Sequence, residues 1–256
     1  AFVAVLILTG PTLASQAAGI DSLTGKSSPL GKGEVIAFFG DSITQGGARQ
    51  GGYCRLIGDA IAQQRPELGV KIIYAGISGH KVPDLQKRLD RDVLSKKPTV
   101  VFIYIGINDV WHSTSGRGTS KDQFNTGLRD LIKKMKATGA KVVLCTASTI
   151  GEKTDGSNPL DTMLEEYSAI SRQVARDTDS TLCDLRKAFL YHLKKHNTEN
   201  KARGILTGDG VHLNGAGNQF VASQAATAIA RALRPNAPAA NSAGKTSSLF
   251  NGKDLS

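Results

Sequence analysis

The stretch "VIAFFGDSITQGG", residues 35 to 47, runs a short, mostly apolar segment into Gly-Asp-Ser. A serine alone is a weak nucleophile. It needs a base in contact with it, and the base needs a third group to fix its tautomer. Both types occur together in "DGVHLNGAG", where Asp209 and His212 stand three residues apart, so one turn can bring the carboxylate to the imidazole. Acyl transfer also needs donors for the developing oxyanion. The backbone N–H groups of Ser42 and of Gly79, in "AGISGHKV", and the side-chain amide of Asn108, in "GIND", can supply three. Losing one such donor costs about 2.7–4 kcal/mol of barrier.

Each residue also has a structural reading. Ser42 could cap a helix, Gly79 could serve a turn, Asn108 and Asp109 could close a turn after a strand, and His212 could be a satisfied, partly buried histidine. What favours chemistry is where the residues fall. Apolar β-type runs lie at about 35–39, 71–75, 99–105, 141–147 and 180–185. Segments of helical periodicity separate or follow them at about 52–65, 83–94, 121–138, 160–177 and 185–196, and "GNQFVASQAATAIARAL" closes the series. Strands alternating with helices predict a parallel sheet covered on both faces, with right-handed crossovers. Continuous runs such as "VVFIYI" fit strands buried on both sides. Sites in such sheets lie at the carboxyl ends of strands. Ser42, Gly79 and Asn108 follow the first three.

Four blocks, "FFGDSITQGG", "AGISGHKVPDL", "YIGINDV" and "DGVHLNGAG", occur in this order between residues 36 and 217. They resemble the SGNH hydrolases, the superfamily that contains the GDSL esterases and lipases. The resemblance implies Ser42 as nucleophile, His212 as base oriented by Asp209, and Ser42, Gly79 and Asn108 as oxyanion donors. It implies a flavodoxin-like three-layer α/β/α sandwich with five parallel strands in the order 2-1-3-4-5, and no metal or organic cofactor. Ala75 stands where many members have Asn, which bears on local loop bonding only. The Gly-x-Ser-x-Gly elbow of the α/β-hydrolases is absent from the chain.

The resemblance implies a serine hydrolase acting on carboxylic esters. Two loops should shape its specificity: "DVWHSTSGRGTS", with Trp111, His112 and Arg117 as candidate contacts to an alcohol moiety such as a sugar, and "IGEKTDGSNPLD". No long apolar lid is evident, so short acyl groups, acetyl first, fit better than long chains. The specific expectation is an exported esterase acting on O-acetylated carbohydrate. A broad arylesterase, thioesterase or lysophospholipase is the alternative within the family, and a noncatalytic carbohydrate-binding module the alternative outside it. A flavodoxin-like nucleotide binder would want a phosphate-binding loop after the first strand, where Asp41 places a carboxylate.

The 256 residues suffice for one sizeable α/β domain, and an apolar content of 40% excludes a disordered chain. The net charge of +10 comes from scattered lysine pairs and not from a basic run with interleaved aromatics, so nucleic acid is not an expected partner. Residues 1–18 begin with an apolar run and continue into small residues, as a partial secretory signal does, with no stretch long enough to span a membrane. Residues 19–33 read as a polar linker, 34–234 as the hydrolase domain and 235–247 as a Pro/Ala/Ser linker. Residues 248–256 carry "LFNGKDLS", which is similar to the opening of β-sandwich domains related to 3-keto-disaccharide hydrolases. "TGKSS" is not a phosphate loop, because Ile20 stands where the motif needs glycine. Cys54, Cys145 and Cys183 are expected as buried free thiols. His192 and His196 have i, i+4 spacing in a lysine-rich helix with no third metal ligand in view.

Overall fold

The apolar runs become five parallel strands in a computed structural model that describes residues 19–234. They are β1 (Val35–Gly40), β2 (Lys71–Gly76), β3 (Val100–Tyr104), β4 (Lys141–Cys145) and β5 (Thr181–Cys183). Their order is β2-β1-β3-β4-β5. Phe38 of β1 lies level with Tyr74 of β2 and Phe102 of β3. Every residue of β3, and all of β1 after Val35, is buried, which is why these two strands read as unbroken apolar runs. β4 and β5 are shorter than their apolar patterns. The Asp184 carboxylate accepts from Lys187 N–H and starts a helix directly after Cys183. Thr146 N–H still donates to the Cys183 carbonyl at 3.2 Å, while its hydroxyl donates to Asp184 and accepts from Arg186 N–H.

Eight named helices fill the connections: α1 (Ser42–Gly47), α2 (Tyr53–Gln64), α3 (Val82–Asp92), α4 (Ile107–Trp111), α5 (Lys121–Ala137), α6 (Asp161–Asp177), α7 (Leu185–His196) and α8 (Gly215–Leu233). Helix α5 packs against α3 and α6, while α2 packs against α8. Phe189 of α7 meets Phe220 of α8 edge-on at 5.4 Å. The sheet is thus covered on both faces. Its centre is aromatic: Phe38 lies 5.6 Å from Phe102 and 5.7 Å from Tyr53. The buried tyrosine hydroxyls find partners, Tyr53 with Thr44 Oγ1 at 2.8 Å and Tyr104 with Ser148 Oγ at 2.7 Å.

The segment 19–33, expected as a linker, differs. Residues 19–24 are helical, and Leu23 and Leu30 are buried in the core. Two leucines in a polar context anchor a stretch whose composition alone resembles a tether. The signal-like start, the Pro/Ala/Ser stretch and the tail phrase lie outside the described residues. Cys145 and Cys183 are level with each other on paired strands, and all three cysteines are buried and free. Among the described residues no helix is long and apolar enough to cross a membrane.

Candidate active site

Ser42 is delivered by the end of β1. A Cβ on Gly40 would sit 2.3 Å from both Thr44 Oγ1 and the Tyr104 carbonyl oxygen, so only glycine lets the chain turn this close to β3. Asp41, not Ser42, caps α1: its carboxylate accepts from Ile43 N–H at 2.9 Å. Ser42 is therefore the first residue of the helix. Its hydroxyl is free of capping, and its N–H belongs to the first turn, which has no intrahelical acceptor. The hydroxyl meets His212 Nε2 at 2.9 Å.

His212 stands on a loop that Asp209 organises. Asp209 Oδ1 accepts from His212 N–H at 2.7 Å and from Val211 N–H at 2.9 Å, and Oδ2 lies 2.7 Å from His212 Nδ1. Burial works to raise the Asp209 carboxyl, but the His212 ring and these two amides outweigh it and hold it at about 2. An ionised carboxylate at Nδ1 selects the tautomer with hydrogen on Nδ1, which leaves the Nε2 lone pair for Ser42.

The other expected oxyanion donors follow β2 and β3, the two strands that flank β1, at the same carboxyl edge of the sheet. Gly79 has φ +74°, the left-handed region that favours glycine. Asn108 is buried at the start of α4 and donates from Nδ2 to the His80 carbonyl at 3.0 Å. An amide nitrogen carries two hydrogens, so the second remains for a substrate. Three residues without a sequence signal hold this edge. Gln45 Oε1 accepts from Ser78 N–H at 3.2 Å. Arg88 donates to the carbonyls of Gly40 at 2.7 Å and Ala75 at 2.9 Å, and to His80 Nδ1 at 3.0 Å. Asp109 Oδ1 accepts from Val82 N–H at 3.1 Å and ties α4 to α3.

A family model of the GDSL-like lipases and acylhydrolases matches residues 38–220. The chain belongs to this family. As a GDSL-family protein it is a serine hydrolase acting on carboxylic esters. It is 31% identical over 210 residues to an acetylxylan esterase from Geobacillus stearothermophilus, covering 75% of this chain and 92% of that protein. It is 26% identical over 204 residues to the isoamyl acetate-hydrolyzing esterase 1 homolog of Rattus norvegicus, covering 73% and 77% of the two chains. Among solved structures, the acetyl xylan esterase AlAXEase superposes with a TM-score of 0.73 at 48% identity, covering 74% of this chain and 96% of that one.

The site of this GDSL-family chain opens into a cleft of about 570 Å³ lined by Ser42, Gln45, Arg49, Ser78, His212 and Asn214, among others. Trp111 stands at its margin, half-exposed, with its ring centroid 6.4 Å from that of His212. His112 lies beside Trp111, 6.5 Å between ring centroids. Burial, then Arg117 and Lys81, lower its proton affinity. Arg117 turns back on its own loop, donating from Nε to Ser115 Oγ at 3.2 Å. The structure thus brings Trp111 to His212 and leaves Arg117 outside the cleft lining. Arg49, Gln50 and Asn214 line the cleft but carry no sequence signal of their own, being polar residues in glycine-rich turns.

Beneath the site lie two buried carboxyls. Burial pushes Asp41 up to about 7, opposed by Ile43 N–H and assisted by the Asp109 charge; burial also pushes Asp109 up to about 6. In the unfolded chain both titrate near pH ~4. The folded protein therefore holds protons that the unfolded chain releases. Their stabilising contribution is full below about pH 4 and is lost as the pH rises through about 6 to 7. Asp41→Asn keeps an oxygen for Ile43 N–H and removes one titration. Between pH ~5 and ~8 its Tm is expected to fall several degrees less than that of the wild type. Equal falls in thermal melts would place this dependence on other groups.

Proposed function

We propose that the chain is an exported esterase that removes acetyl groups from carbohydrate. Ser42 is the nucleophile, His212 the general base, Asp209 its orienting carboxylate, and Ser42 N–H, Gly79 N–H and Asn108 Nδ2 the oxyanion donors. The observation that carries this reading is the line Ser42 Oγ–His212 Nε2 at 2.9 Å and His212 Nδ1–Asp209 Oδ2 at 2.7 Å. His212 takes the Ser42 proton as Oγ attacks the ester carbonyl. The tetrahedral oxyanion rests on the three donors. His212 then protonates the departing alcohol, and water repeats the sequence to release the acid.

The acyl preference rests on the relatives, one named for acetylxylan and another for isoamyl acetate. The alcohol preference rests on the cleft. Gln45 and Arg49 line it and can donate to hydroxyl groups from the Gln45 amide nitrogen and the Arg49 guanidinium, and the half-exposed Trp111 offers a face for a sugar ring beside His212. The likeness of the tail "LFNGKDLS" to carbohydrate-active β-sandwich domains points the same way, and the signal-like start supports export.

The test is hydrolysis of p-nitrophenyl acetate, butyrate and octanoate, with acetate release from acetylated xylooligosaccharides. Activity is expected to fall at least tenfold from acetate to octanoate, with acetate freed from the oligosaccharide. A profile that rises toward octanoate would replace this reading with a broad acylhydrolase. Absence of both hydrolysis and organophosphonate labelling of Ser42 would favour a binding module.

A further inference from the structure

One buried charge outside the reacting groups grips the loop that carries them. Glu152, after β4, has no exposed surface. Its carboxylate is satisfied by hydrogen-bond donors and not by a cation. Oε2 accepts from Ile205 N–H at 2.7 Å; Oε1 accepts from Leu206 N–H at 2.7 Å, Thr207 N–H at 2.6 Å and Thr207 Oγ1 at 2.8 Å. A carboxylate offers about four lone-pair directions, and four donors meet this one, three of them on Oε1. All four come from one run of three residues that ends two positions before Asp209.

The grip closes on the other side of Asp209 as well. Thr207 Oγ1 accepts from Gly210 N–H at 3.1 Å while donating to Glu152. Gly151 N–H donates to the Gly210 carbonyl at 2.8 Å. The segment between has little regular structure to fix it, with one isolated bridge from Thr207 to Leu213. Asp209 and His212 are both substantially exposed, so packing does not fix them either. We propose that Glu152 is a positioning residue for the acid–base pair: an internal anion around which the chain winds, setting the backbone from which Asp209 and His212 reach Ser42. This rests on the reading of Asp209 and His212 as that pair.

Glu152→Gln keeps the shape. It leaves one oxygen for the donors and turns an amide N–H₂ toward them. With p-nitrophenyl acetate, kcat is expected to fall about 10- to 100-fold with KM within about twofold, since misplacement by an ångström costs that much. The acid limb of the pH–rate profile should move to lower pH, because a loosened Asp209 supports the His212 imidazolium less. Phosphonate labelling of Ser42 should slow by the same factor as kcat. His192 on α7 also senses Glu152: burial and His196 lower its proton affinity and the Glu152 charge opposes them. His192→Gln should leave the limb in place.

A purely structural Glu152 would lower Tm but leave kcat and the acid limb at wild-type values below the transition, and that result overturns the proposal. Should Glu152→Gln fail to fold, Thr207→Ala and Thr207→Ser decide. The alanine variant is expected to lose kcat and shift the limb while serine restores both, and equal kcat in the two overturns the proposal. Failure of the underlying reading looks different: hydrolysis would survive in Ser42→Ala and His212→Ala, and the role of Glu152 would fall with it.

Discussion

Replacing Ser42 with alanine is expected to lower kcat for p-nitrophenyl acetate by about 10⁴-fold or more and to leave Tm unchanged. The size follows from what the hydroxyl does. In the proposed cycle Oγ is the atom that forms the acyl bond, and the remaining proposed oxyanion donors can only assist attack by water, which would account for residual catalysis. The unchanged stability follows from where Ser42 sits. Asp41 caps the helix, so removing the Ser42 hydroxyl costs no capping bond, and its contact with the half-exposed His212 is a partly exposed one. Surface changes of this kind stay within about 0.5 kcal/mol. Steady-state kinetics and a thermal melt on one preparation check both halves. A loss below tenfold would mean that another group attacks the ester. A large loss with a large drop in Tm would mean that the helix, not the chemistry, had been damaged.

The sheet and the line from Ser42 through His212 to Asp209 are legible because each leaves a local mark. "VVFIYI" fits a buried strand once helices flank it, and β3, which it forms, is buried throughout. The strand order left no such mark, since hydrophobic periodicity is blind to which strands pair; it came with the four blocks. Asp209 and His212 are close in sequence and close in space, so their spacing announced them. The supports did not announce themselves. Glu152 and Thr207 are 55 residues apart, Arg88 and Gly40 are 48 apart, and Gln45 and Ser78 are 33 apart. A lone glutamate or arginine in a loop or helix carries no periodicity that points across the fold. Helix α4 was missed for another reason. It has five residues and follows Gly106, whose φ is +120°, and so short a segment after a glycine reads in sequence as a turn. The segment 19–33 was misread because its glycines, serines and proline dominate the composition while two leucines decide the packing.

Asp209→Asn is the sharper test of mechanism, because it changes one atom and keeps the turn. The asparagine oxygen can still accept from His212 N–H and Val211 N–H, as Asp209 Oδ1 does. The other atom becomes an N–H₂ facing His212 Nδ1, and two donors cannot face each other. The imidazole must then accept at Nδ1 and carry its hydrogen on Nε2, pointing at Ser42 Oγ, where it cannot take a proton. In a buried triad that tautomer error costs about 10⁴ in kcat. Here the Asp209 side chain is 49% exposed and that of His212 43%, so water competes for Nδ1 and part of the population keeps the productive tautomer. The expected loss is therefore smaller, about 10²- to 10³-fold. The pH dependence carries a second signature. Asp209 is held at about 2, so it is ionised at every pH where the enzyme works, and its charge stabilises the His212 imidazolium. Wild-type activity should fall in acid, because a general base that holds a proton cannot take one from Ser42. In Asp209→Asn that acid limb should lie at lower pH, because the cation has lost its partner. An unmoved limb with a loss below threefold would mean that water alone orients the ring, leaving a Ser42–His212 dyad as the catalytic unit and Asp209 as a loop residue.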